Sequence, residues 1–174
     1  MSTDDPLFQA AMAIVYQHEC GNDLNGALHD DPADPGGLTR FGLALKEHPE
    51  LTADVLRALT RDQADAIYYA TYWSPHQWAA LPTTIAIKAF DISVNTGAGP
   101  AIKALQRALR ACGVAGIADD GELGPVTIAA AQRPMSIELL AALRSECAGY
   151  YRLVAERRPL AAKELPGWLN RAYS

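Results

Sequence analysis

Cysteine is scarce in this chain: Cys20, Cys112 and Cys147 are the only three in 174 residues. An odd number, widely spaced, fits neither a disulfide framework nor a zinc pattern. The four histidines, His18, His29, His48 and His76, share no ligand spacing. Asp30, Asp31 and Asp34 are interrupted by Pro32, which breaks the alternation of a calcium loop. No metal is therefore expected. No apolar run is long enough to span a membrane, so no stable membrane insertion is expected. The N-terminal stretch Met1-Ser2-Thr3-Asp4-Asp5-Pro6 lacks the basic start of a secretory signal. Positive charge is also short, with 15 Lys and Arg against 20 Asp and Glu. The deficit is concentrated in residues 1–65, with 12 acidic and 4 basic side chains, whereas residues 144–174 carry 3 and 6. An acidic first half argues against nucleic acid as a partner. Internal repeats and low-complexity tracts are missing too.

What is present is a soluble globular composition, 49% hydrophobic and 20% charged. The length suits one domain with a sizeable core, or two small lobes. Helical signals recur throughout. Asp5 is an N-cap and Pro6 a first helical residue. Phe8, Met12, Val15 and Glu19 follow at steps of four, three and four, so they share one face. Thr60-Arg61-Asp62-Gln63 reads as a capping box opening a helix to about Trp73, before Pro75. Further helices are predicted over about Thr83 to Asn95, Pro100 to Ala111, a short one from Gly124-Pro125, and a long one capped by Ser136 and ending before Pro159. Gly167-Trp168-Leu169-Asn170-Arg171 forms a closing tail. No strand exceeds a few residues, although a small hairpin after the first helix is expected.

One loop, from about Cys20 to Gly42, is too long to be a simple connection and is dense in Gly, Pro, Asp and Asn, which marks it as functional. Glu19 stands at its entrance, where an apolar stripe meets a helix end. Asp31 and Asp34 stand inside it in a polar setting. Two carboxylates in unlike environments are what glycoside hydrolysis needs, one kept protonated and one ionised. Cys20 is not a convincing nucleophile beside His18, because neighbouring helical side chains do not face each other. Asp91 and Asn95 lie four apart on one helix and point the same way. They suit either a sugar-binding wall or structural roles, as hydrogen-bonder and C-cap. Tyr72, Trp73 and Trp78 offer flat apolar surfaces for sugar rings or for a core.

The pattern Glu-x-Gly followed by Asp31-Pro32-Ala33-Asp34-Pro35-Gly36-Gly37-Leu38-Thr39-Arg40-Phe41-Gly42 resembles glycoside hydrolase family 108. These are the lysozyme-like N-acetylmuramidases of phage endolysins and secretion-associated wall hydrolases. Tyr68 to Trp73 is similar to the family's Tyr-Trp helix end. Phe90 to Gly97 is similar to its Asp-x-x-x-Asn-x-Gly segment. Leu105 to Leu109, Asp120 to Thr127 and Gly167 to Arg171 resemble its C-terminal, peptidoglycan-binding half. The chain departs from the pattern at Glu19-Cys20-Gly21-Asn22, where the family reads Glu-Gly-Gly-aromatic, and carries extra residues over Asp23 to His29.

The resemblance implies a mostly α, lysozyme-like orthogonal helical fold in two lobes, a catalytic lobe over 1–82 and a helical lobe over 83–174. It implies hydrolysis of the β-1,4 bond between N-acetylmuramic acid and N-acetylglucosamine in bacterial peptidoglycan, with no cofactor. Glu19 would be the general acid. Asp34, or else Asp31, would be the second carboxylate, and Thr39 would position a water or that carboxylate. Asp31, Tyr72, Trp73, Asp91 and Asn95 are the expected substrate-binding residues. A monomer is expected, made in the bacterial host cytoplasm and reaching the wall through a holin or another export route. Two other classes fit the same residues: a non-catalytic peptidoglycan-binding or secretion-assisting module, and a lytic transglycosylase with a single acid.

Overall fold

The computed structural model describes residues 2–21, 23, 26, 28–30 and 37–174. Among these the protein is mostly α, as expected, with eight α-helices and three two-residue strands. The chain divides into two compact units, Met1–Thr71 and Tyr72–Ser174.

In the first unit, α1 runs Pro6–Cys20. The Asp5 side chain accepts from the Leu7 N–H, and Pro6 costs nothing because its missing N–H would have had no helical partner. Phe8, Met12 and Val15 are fully buried, so the predicted stripe faces the core. Each such burial contributes about 1.5–3 kcal/mol, against about 1 kcal/mol for the cap. Packing rather than capping therefore dominates the helix. Thr60 and Gln63 form the predicted capping box at the start of α3, Arg61–Tyr68. The α-helix stops sooner than predicted, and a π-helical turn over Tyr69–Trp73 continues it. A helix that the sequence did not announce, α2 (Ala53–Arg57), is capped by Thr52. The expected hairpin is a three-stranded antiparallel sheet, β1 (Leu28–His29), β2 (Thr39–Arg40) and β3 (Leu43–Ala44), in the order β1-β2-β3.

The second unit is built around α4, Thr83–Thr96. It buries residues on nearly every side, Ile85, Ala86, Ala89, Phe90 and Ile92 among them, as a central helix must. Packed on it are α5 (Ala98–Ala111) and α7 (Ser136–Arg157), and α7 in turn packs on α8 (Leu165–Tyr173). The short α6 spans Pro125–Ala130. Two sequence expectations need correction here. Ser136 is the first helical residue of α7, and the N-cap is Met135, with no side-chain cap bond. The closing tail is a helix, and its Trp168 stacks on Tyr151 at 5.4 Å.

Gln106 knits the turn after α5, accepting from the Gly121 N–H at 3.0 Å and donating to Asp120 at 2.6 Å and the Glu122 carbonyl at 3.2 Å. These bonds to the anion hold the Asp120 carboxyl below its ordinary value, the Glu122 N–H being the largest cause.

A buried charge cluster ties the last helix to the first of the unit. Arg171 meets Asp91 at 2.9 Å, and Arg171 also donates to the Asp91 carbonyl at 3.1 Å. Lys88 lies 3.5 Å from the other Asp91 oxygen and donates to the Arg171 carbonyl. Asp91 is fully buried, with Lys88 and Arg171 at 4% and 5% exposure. Desolvation pushes the Lys88 ammonium below its ordinary value, with Asp91 working against that shift. Removing one member of such a cluster strands the others in a low dielectric. Arg171→Ala is expected to cost about 3–5 kcal/mol of stability. Urea unfolding followed by circular dichroism measures it, and a loss below 1 kcal/mol would show that the cluster does not hold the helices together.

Candidate active site

Glu19 occupies the last turn of α1, half-buried, two residues before Gly21 ends the helix. The wall beside it is the turn between β2 and β3. Arg40 pairs with Leu43, so the connection is the two residues Phe41 and Gly42. Their φ values are 53° and 79°, both positive, as a type I′ hairpin demands. Glycine meets that demand freely, whereas a phenylalanine there is strained.

Three contacts hold the strained turn. The buried Tyr68 hydroxyl donates to the Phe41 carbonyl at 3.0 Å. The Phe41 ring packs edge-on to Tyr16, with centroids 5.9 Å apart. Gly26 lies so close that a Cβ there would fall 2.4 Å from the Phe41 ring. Gly42 approaches Glu19 closely. A Cβ on it would sit 2.7 Å from the Glu19 Cβ and 2.7 Å from the Tyr68 hydroxyl. The turn therefore packs directly on the aliphatic stem of Glu19.

A polar lock fastens α1 to α3 behind this wall. The Tyr16 hydroxyl donates to Asp65 at 2.6 Å, and Gln9 donates to the other Asp65 oxygen at 3.2 Å. Burial, then the bond to Asp65, pushes the Tyr16 phenol well above its ordinary value, so it remains a donor. Arg61 covers the Tyr16 ring at 4.6 Å. Strained backbone held from several sides, beside a half-buried carboxyl, is a recurrent feature of active sites.

The remaining expected site residues fall as follows. Thr39 lies in β2, half-buried, its hydroxyl donating to the Gly37 carbonyl at 3.3 Å. Asp31 and Asp34 lie outside the described residues. Their neighbour Asp30 is gripped by Arg57 of α2 at 3.0 Å, and Arg40 donates to the Arg57 carbonyl. Both partners of the Arg57–Asp30 pair are about half exposed (46% and 51%), so it directs the loop edge more than it stabilises it. Tyr72 is half-buried, and its carbonyl accepts from Trp78 at 2.9 Å. Trp73, 2% exposed, packs edge-on against Phe90, and Trp78 is fully buried. Asp91 is a buried anchor engaged by Arg171 and Lys88, with no exposed surface to offer a sugar. Asn95 is exposed, inside α4 and not at its cap, which is Gly97; its side-chain oxygen accepts from the Tyr151 hydroxyl at 2.9 Å. The Cys20 thiol is pushed up to about 11 by burial and by the charges of Glu19 and Asp23, so it is not a thiolate at neutral pH. Among the described residues no group of three or more His, Cys, Asp and Glu side chains is arranged to hold a metal.

Sequence reasoning missed Phe41 and Gly42 as the wall against Glu19, although the aromatic-Gly pair was in plain view at the end of the loop motif. It also missed Asp65. The available signal was Tyr16, four residues after Met12 on the buried stripe, whose hydroxyl requires a partner.

A mostly α, lysozyme-like fold with a carboxyl held at the end of its first helix defines a class, the helical glycoside hydrolases. Residues 12–97 match the family described as Glycosyl hydrolase 108, and residues 100–173 match the one described as Predicted Peptidoglycan domain. The chain belongs to glycosyl hydrolase family 108, with a predicted peptidoglycan domain following the family region. It is similar to the solved structure of SagA from Brucella abortus, with 25% identity and a TM-score of 0.68 over 95% of this chain and 93% of that one. No curated protein matches the chain.

The Gly42 contact yields a test. Gly42→Ala places a methyl group against Glu19 and forces a residue other than glycine to adopt φ 79°. The expected stability loss is about 1–3 kcal/mol. Glycosidase activity, assayed well below the melting temperature, is expected to fall further than unfolding accounts for. Full activity in a folded Gly42→Ala protein would detach the turn from the positioning of Glu19.

Proposed function

We propose that the protein is a lysozyme-type muramidase that hydrolyses the β-1,4 bond between N-acetylmuramic acid and N-acetylglucosamine of bacterial peptidoglycan. The observation that carries this reading is Glu19. It closes α1 within the matched hydrolase region, with its stem clamped by the Phe41-Gly42 turn. A clamped stem fixes where the carboxyl head can reach, and orientation is a large part of what general acid catalysis requires. The predicted peptidoglycan domain over residues 100–173 supports peptidoglycan as the polymer.

In this mechanism Glu19 donates its proton to the glycosidic oxygen as the bond to the sugar breaks. Positive charge then develops on the anomeric carbon and ring oxygen. Asp34 is assigned as the carboxylate that stabilises this charge or activates water, because Pro35-Gly36-Gly37 follows it directly in the sequence. Asp31 is assigned to substrate binding beside it. Thr39, at the start of β2, orients the attacking water or the second carboxylate. Tyr72 and Asn95 are assigned to sugar contacts. Asn95 is already turned by its bond to Tyr151, which occupies the side-chain oxygen and leaves the amide N–H groups to donate.

The test is gel zymography and turbidity loss on purified cell walls with three variants. Glu19→Gln keeps the shape but cannot donate the proton, and is expected to lose roughly a hundredfold to ten-thousandfold in rate. Asp34→Ala is expected to lose most activity and Asp31→Ala less. Near-wild-type lysis by folded Glu19→Gln protein would remove the acid assignment. A greater loss in Asp31→Ala at equal melting temperature would exchange the two aspartates.

A further inference from the structure

The second unit contains a pocket of about 450 Å³, within the usual range for small-molecule sites. It lies among the ends of α4 and α7, the 3-10 turn Pro159–Glu164, and α8. Its walls include Asn95, Tyr150, Tyr151, Arg157, Arg158 and Trp168. The muramidase mechanism uses only Asn95 of these.

The chemistry of the pocket is unusual for this protein. The chain has a net charge of −5, yet the pocket lining has two arginines and no carboxylate. Among the described residues, no carboxylate pairs with either guanidinium. Such a cation pair beside an aromatic wall suits a ligand that has both an anionic group and a ring face. Arginine is the residue best shaped for planar bidentate capture of a carboxylate.

The aromatic wall is preorganised. Tyr151 and Trp168 stack at 5.4 Å with planes 21° apart, and Tyr150 meets Tyr151 edge-on at 5.9 Å. Trp168 is only half-buried, so part of its ring surface remains accessible. Burial holds the Tyr151 phenol above its ordinary value, which keeps it protonated and donating to Asn95 at 2.9 Å. The pocket thus presents an amide donor and an indole face held by these contacts, with two exposed guanidinium groups at its rim.

We propose that this pocket binds an N-acetylmuramyl peptide, with Arg157 and Arg158 capturing a carboxylate of the peptide arm while Trp168 and Tyr150 cover the sugar. The inference rests on the peptidoglycan reading of the protein. A neutral chitin-like glycan lacks the acid that the arginines need. A muramyl peptide has a sugar ring, an N-acetyl group and a carboxylate on one small scaffold. The site would make the enzyme sensitive to the peptide arms of its polymer as well as to its glycan backbone.

Isothermal titration of the full chain tests this with N-acetylmuramyl-L-alanyl-D-isoglutamine, its fully amidated neutral form, and tri-N-acetylchitotriose. The acid form is expected to bind roughly tenfold or more tightly than the amidated form, the margin expected of a charge-assisted pair. That preference should shrink as salt is raised. In the Arg157→Ala/Arg158→Ala double variant, binding of the acid form should fall to the level of the amidated form. The acid-against-amide comparison on the wild type stands alone if the double variant fails to fold. Equal binding of acid and amide, no binding of the acid form at millimolar concentration, or tighter binding of a glycerol phosphate oligomer would each overturn the proposal. Wall hydrolysis is read in parallel. Hydrolysis without peptide binding removes this site and keeps the proposed function, and peptide binding by a chain that cuts no walls does the reverse.

Discussion

There is no room for a side chain between the hairpin turn and the stem of Glu19. A Cβ on Gly42 would lie 2.7 Å from that of Glu19, well inside van der Waals contact. Much of the first unit follows from this approach. A type I′ turn is needed to aim the hairpin at the helix, and that turn requires positive φ at both Phe41 and Gly42. The strain at Phe41 has to be held, and Tyr68, Tyr16 and the backbone at Gly26 hold it. Tyr16 in turn needs a partner for its buried hydroxyl, and Asp65 supplies one from α3. One tight contact at Glu19 thus propagates into the packing of α1, α3 and the sheet.

The second unit depends on a different device. Its central helix α4 is buried on most sides and has two ionisable groups in that burial, Lys88 and Asp91. Such charges are tolerated only when paired. Arg171, eighty positions later, completes the cluster and draws α8 onto α4. The same docking brings Trp168 against Tyr151 and so builds one wall of the pocket beside Asn95. Buried charge in this unit organises the fold, and exposed arginine is left for binding.

Local signals were legible and non-local ones were not. Asp5-Pro6, the Phe8-Met12-Val15 stripe and the Thr60–Gln63 capping box each lie within a few residues of one another, and each appears where expected. The helix α2 is only five residues long, too short for a periodic pattern, and its Thr52 cap has no Glu or Gln partner three positions on. Ser136 resembled an N-cap because serine favours that position, but the backbone turns one residue earlier, at Met135. Asp91 could not be assigned from α4 alone, because its partner Arg171 lies in a helix that the sequence presents as a tail. For the candidate site, the motif nominates Glu19 and Thr39, whose catalytic roles rest on it, whereas the Gly42 clamp required the register of β2 against β3. Asp31 and Asp34 rest on the motif alone.

Mass analysis of the soluble fragments released from purified sacculi by the wild-type protein tests the central claim most directly. A muramidase leaves fragments ending in reducing N-acetylmuramic acid, each heavier by one water than the corresponding anhydro form. That is the result this account predicts. Fragments ending in 1,6-anhydro-N-acetylmuramic acid would identify a lytic transglycosylase, and intact glycan strands would identify a binding module. Either result would contradict Glu19 acting with a second carboxylate to deliver water across the glycosidic bond.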